Sequence, residues 1–144
     1  MATLPTMGPH FVLKINLTIN SLPDDWRNIL HVTDGGSVGT TGDRYPWLGL
    51  SSAGIIAFKS EKNNVLNPTH LNFNIELGTK YEIEFRQVDK NGATFTEIII
   101  DDEEKYSDEN TSPITVENAK VFLSNNFRAP ADATVEYFYL ESYE

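Results

Sequence analysis

The stretch Phe11-Val12-Leu13-Lys14-Ile15-Asn16-Leu17-Thr18-Ile19-Asn20 decides the fold. Its odd positions are all apolar, and after Val12 its even positions are Lys, Asn, Thr and Asn. Successive side chains of a strand point to opposite faces, so a period of two describes a strand with one face on a core and the other in water. The period returns at Tyr81-Glu82-Ile83-Glu84-Phe85-Arg86. The Asn91-Gly92 pair that follows residues 81–88 matches the tip of a tight hairpin, with residues 94–100 as the partner strand.

Working outward, residues 28–33, 47–50, 55–59, 71–77, 116–124 and 134–140 read as further strands, each bounded by turn-forming residues. Residues 34–45 form a glycine-rich loop holding four of the nine Gly residues. Residues 61–69 and 125–132 read as loops, and 101–110 (DDEEKYSDEN) as an acidic loop. No segment carries an amphipathic helical period, and no internal repeat is present. Many short strands at close spacing predict an all-β fold: a single antiparallel β-sandwich over residues 11–144, preceded by an N-terminal extension at 1–10.

Composition narrows the function classes. The chain has 144 residues, 11 Lys+Arg against 21 Asp+Glu, and a formal charge of -10. That balance argues against nucleic acid as a partner, because phosphate binding rests on Lys and Arg. There is no run of about 18 apolar residues to span a membrane. Zero Cys excludes disulfides, thiolate metal sites and Cys nucleophiles. Residues 1–10 (MATLPTMGPH) carry neither the basic region nor the apolar region of a secretory leader. Two N-x-[ST] sequons begin at Asn16 and Asn110, and the period of two points Asn16 outward.

Several segments together resemble the concanavalin A-like lectin/laminin-G-like superfamily. They are residues 11–19 followed by Leu22-Pro23-x-x-Trp26-x-Asn28-Ile29-Leu30, Gly42-Asp43-Arg44-Tyr45-Pro46 leading into Trp47-Leu48-Gly49-Leu50, the hairpin of 81–85 and 95–102, and the closing pair 121–124 and 134–138. The resemblance implies a jelly roll of two curved antiparallel sheets. Its members include lectins, adhesion modules and glycan hydrolases, so the fold does not fix the function. It implies an extracellular location and leaves homo- or hetero-oligomerisation open.

Catalysis finds little support. Glycoside hydrolases need two carboxylates flanking the scissile bond. The nearest analogue, Glu82 with Glu84, sits beside Arg86 on a solvated strand face, and His10, His31 and His70 are scattered. The chain is therefore expected not to be an enzyme, with no catalytic residue assigned and glycan hydrolysis the third reading. Calcium is a possible cofactor, since it takes six to eight hard oxygens from loops. Asp34 and Asp43, flanking the glycine loop, are the candidate ligands.

Two aromatic groups remain as candidate binding surfaces. Trp26, Asn28, Asp43, Arg44, Tyr45 and Trp47 lie on or beside the glycine loop and combine apolar rings with hydrogen-bonding groups, as a glycan site requires. Phe127, Tyr137 and Tyr139 lie on or near the last strand, where consecutive aromatics must face both sides of the sheet. The first group leads to a non-enzymatic, lectin-like protein that binds a glycan or glycoconjugate. The second leads to a carrier or assembly subunit that binds an apolar small molecule, such as a lipid or pigment, or another subunit.

Overall fold

The computed structural model describes residues 2–36, 41–42, 44–123 and 129–143. Among them lie β1 (Ala2–Met7), β2 (His10–Ile19), β3 (Arg27–Thr33), β4 (Trp47–Leu50), β5 (Ile55–Lys59), β6 (Thr69–Asn74), β7 (Lys80–Lys90), β8 (Ala93–Ile100), β9 (Glu103–Glu109), β10 (Val116–Phe122) and β11 (Ala133–Tyr143). They form a six-stranded sheet of order β1-β10-β3-β4-β5-β6 and a five-stranded sheet of order β11-β2-β7-β8-β9. Every pairing is antiparallel. Among the described residues no helix is long and apolar enough to cross a membrane.

The alternation in β2 sets the core. Phe11, Leu13, Ile15, Leu17 and Ile19 are fully buried, while Lys14 between them is exposed. Burying a side chain of this size contributes about 1.5–3 kcal/mol. Tyr81, Ile83 and Phe85 of β7 and Ile98 and Ile100 of β8 extend this inner face. Leu30, Val32, Leu48, Leu50, Ile56 and Phe58 of the six-stranded sheet close over it from the other side.

Two segments differ from the sequence reading. Residues 2–7, expected within an N-terminal extension, form β1 and pair with β10 at the sheet edge. The acidic stretch 101–110, expected as a loop, is a tight turn followed by β9. Asp101 and Asp102 both take left-handed backbone (φ 52° and 64°), as a two-residue hairpin turn requires. The Asp101 carboxylate accepts a hydrogen bond from the Glu82 amide at 2.8 Å, which fixes the turn. β9 escaped the reading because an edge strand of this composition buries little, with Tyr106 alone half-buried. Its charges also discourage a further strand from adding there.

Candidate functional site

The outer face of the six-stranded sheet, away from the core, gathers four of the nine predicted ligand-binding residues: Trp26, Asn28, Arg44 and Trp47. Register places His31 beside Trp47 and Trp47 beside Lys59, so the three side chains share that face. Asn28 and Ala57 flank Gly49 in the same way. The Trp47 indole lies over Gly49, and its next-row neighbour Ala57 is also small. The Trp26 ring leans on Trp47 with centroids 5.9 Å apart. The Arg44 guanidinium stacks 4.3 Å above the Trp47 ring, and Lys59 Nζ approaches it at 5.9 Å. Such cation–π contacts stabilise by about 0.5–2 kcal/mol.

Two loops hold this cluster. The Glu61 carboxylate accepts a hydrogen bond from the Gly42 amide at 3.0 Å, and the Glu61 amide donates to the Arg44 carbonyl. Arg44 Nη1 donates to Asn67 Oδ1 at 2.8 Å. Asn63 and Asn64, both left-handed, make the tight turn that brings Asn67 back. On the other side, Asn28 is bonded through its backbone to Ala129 and Ala131. Asn28, His31, Arg44 and Trp47 are consequently buried although they lie outside the hydrophobic core. Trp26, Lys59 and Phe122 are half-buried and Asn72 is exposed, so these groups meet solvent.

The remaining predicted residues fall elsewhere. Tyr45 belongs to the core rather than to a ligand surface. Its ring meets Phe11 edge-on at 5.5 Å, and its hydroxyl accepts a hydrogen bond from Gln87 Nε2. Burial raises the Tyr45 pKa well above the usual phenol range. Tyr137 (49% exposed) and Tyr139 (39%) stand on the outer face of the five-stranded sheet, on the opposite side of the sandwich from the Trp47 cluster. Phe138 between them packs on the core. Asp43 and Phe127 lie outside the described residues.

Asp34, the other calcium candidate, closes its own loop: its carboxylate accepts from the Gly36 amide at 3.3 Å and its amide donates to the Gly42 carbonyl. Among the described residues no three His, Cys, Asp or Glu side chains gather to hold a metal. The residues described do not make a calcium cage. Asn110 is buried and gives both polar atoms of its side chain to the protein, so its sequon marks a structural residue.

Sequence reasoning missed His31 and Lys59, whose role comes from register across β3, β4 and β5. It also missed a cavity of about 340 Å³ on the outer face of the five-stranded sheet, beside Tyr137. Its lining is mainly polar, with Lys14, Asn16, Glu82, Glu84 and Asp102, so it is not an apolar carrier pocket.

No family model matches the sequence, and no curated protein matches it either. Solved structures do match. Sheep galectin-11, in a complex with glycerol, superposes with a TM-score of 0.56 at 15% identity, covering 97% of this chain and 95% of that one. The fold is the concanavalin A-like jelly roll. A carbohydrate-binding module from Bacillus subtilis superposes with a TM-score of 0.53 at 12% identity, covering 95% of this chain and 77% of that one. A Trypanosoma rangeli sialidase gives a TM-score of 0.62 at 15% identity over 91% of this chain, but this jelly roll spans only 20% of the sialidase.

Proposed function

We propose that this jelly roll is a non-catalytic carbohydrate-binding protein that takes its ligand on the outer face of the six-stranded sheet. One observation carries the reading. Asn28, His31, Arg44 and Trp47 are held in fixed places outside the hydrophobic core, against a half-buried Trp26. Sugars present apolar ring faces and polar rims. Trp26 offers the stacking surface, while Lys59 and Asn72 offer rim hydrogen bonds. Groups already immobilised by Asn67, Glu61 and Gly49 lose little entropy on binding. The likeness in fold to a galectin and a carbohydrate-binding module supports the same reading.

A glycan array followed by calorimetric titration, with and without calcium, tests it. Trp26→Ala is expected to weaken any sugar bound by at least tenfold. Undiminished binding by that variant, or no binding across the array, overturns it.

Hydrolysis is disfavoured by the carboxylates. Two of them, Glu97 and Asp108, are committed to ion pairs with Arg86, Lys90 and Lys62. Assembly through β11 is the second reading, and the exposure of Val135, Tyr137, Tyr139 and Tyr143 favours it. Sedimentation equilibrium that returns a monomer at every concentration overturns assembly.

A further inference from the structure

The outer face of the five-stranded sheet divides into two halves. In one half the charges are tied together. Glu97, whose side chain is fully buried, receives Arg86, Lys90 and the Ser107 hydroxyl, and Arg86 also reaches Glu84 at 3.5 Å. In the other half, around the cavity of about 340 Å³, the side chains other than Glu84 are uncommitted. Lys14 and Glu84 are register partners on adjacent strands, yet no ion pair joins them. Among the described residues, the side chains of Lys14, Asn16, Glu82, Asp102 and Tyr137 have no hydrogen-bond or ion-pair partner. The cavity falls in the size range of small-ligand sites, about 300–1,000 Å³.

The lining says what kind of ligand fits. Tyr137 presents an exposed ring on one side. Glu82, Glu84 and Asp102 face a single ammonium, Lys14, so the lining charges sum to -2. Asp102 is held in place by the left-handed turn that Asp101 pins to Glu82. We infer that this cavity is a second binding site, independent of the Trp47 face, for an amine-bearing sugar. The carboxylates receive the ammonium, the Tyr137 ring takes an apolar sugar face, and Lys14 and Asn16 donate to ring hydroxyls. A linear polyamine leaves Lys14 and Asn16 without a role, which favours the sugar.

Titration of the whole chain at low salt with a short glucosamine oligomer, its fully N-acetylated counterpart and putrescine tests the site. The glucosamine oligomer is expected to bind at least tenfold more tightly than the other two. The preference should shrink as salt rises, because these carboxylates are largely exposed. The double variant E82Q/D102N should abolish the preference, and both positions are exposed enough for the fold to tolerate the change. Asn also accepts the left-handed backbone at position 102. Trp26→Ala should leave binding of the glucosamine oligomer unchanged, whatever it does to ligands of the other face. Equal affinity for the free and acetylated oligomers, tighter binding of putrescine, no binding at all, or loss of binding in the Trp26 variant would each overturn the inference.

Discussion

The indole of Trp47 occupies the space that a side chain on Gly49 would need. A Cβ at position 49 comes within 2.8 Å of Trp47 Cζ3 and closer still to Cη2 and Cζ2. Only a residue without a side chain lets the ring lie flat between Arg44 and the sheet. Gly49→Ala is therefore expected to drive the indole out into solvent. Overpacking of this kind costs about 1–3 kcal/mol. Tryptophan emission should move to longer wavelength, and affinity for any sugar bound on this face should drop. Emission and urea midpoint identical to the parent would show that the ring moves aside without consequence.

Glu97 is the hub of its sheet face. Burial alone pushes its pKa up, but bonds from Lys90, Ser107 and Arg86 outweigh this and hold it at about 2. A carboxyl lowered in the folded state gives stability that is complete above its unfolded value of 4.5 and is lost as pH falls toward 2. Glu97→Gln removes the charge and keeps the shape. Charge-assisted hydrogen bonds contribute about 1.5–3 kcal/mol, so the variant should lose stability of that order at pH 7 and little at pH 2. Equal losses at both pH values, measured by denaturant titration, would refute the electrostatic account.

His70, where β6 meets β9, gives the sandwich a separate acid sensitivity. It stacks on Tyr106 at 5.1 Å and bonds the Ser60 hydroxyl at 3.0 Å. Burial first, and the nearby Lys62 charge second, lower its pKa to about 4. The unfolded chain therefore takes up a proton between pH 6.5 and 4 that the folded chain refuses, so stability falls as pH drops through that window. His70→Phe keeps a ring against Tyr106 and should flatten the slope between those limits. A slope unchanged in the variant would assign the acid sensitivity to other groups.

Asn110 joins three segments. Its Nδ2 donates to Gln87 at 2.8 Å, and its Oδ1 accepts from the amides of Asn63 and Ser112 at 3.1 and 3.0 Å. Asn110→Ala removes all three bonds and leaves Gln87 Oε1 with the Thr96 hydroxyl alone, and each lost hydrogen bond is worth about 0.5–1.5 kcal/mol net. A markedly lower thermal midpoint is expected, and a midpoint within a degree of the parent would contradict it.

The sandwich was legible wherever one strand face is buried, because burial writes alternation into the chain, as in Phe11 to Ile19. It was illegible at β9, where Glu103 to Glu109 covers almost no core. The Trp47 cluster was partly legible: Trp26, Asn28, Arg44 and Trp47 are close in sequence and do meet. Tyr45 was misplaced because a glycine-rich loop has no period from which to read a side chain's direction. The place of Lys59 beside Trp47, and the grouping of Lys14 with Glu82, came into view only through register, which joins residues distant in sequence.

The buried polar chain around Gln87 has a consequence for how the sheet finds itself. Gln87 of β7 faces Thr96 of β8, whose hydroxyl donates to Gln87 Oε1 at 3.0 Å, while Gln87 Nε2 donates to Tyr45 and to the Pro9 carbonyl. A hydrophobic pattern of period two forbids a slip of one residue but tolerates a slip of two, since apolar side chains still face inward. A two-residue slip of β7 against β8 would bury Gln87 and Thr96 apart, each without its partner. The greasy residues thus tell these strands which way to face, and a single amide tells them where to stop.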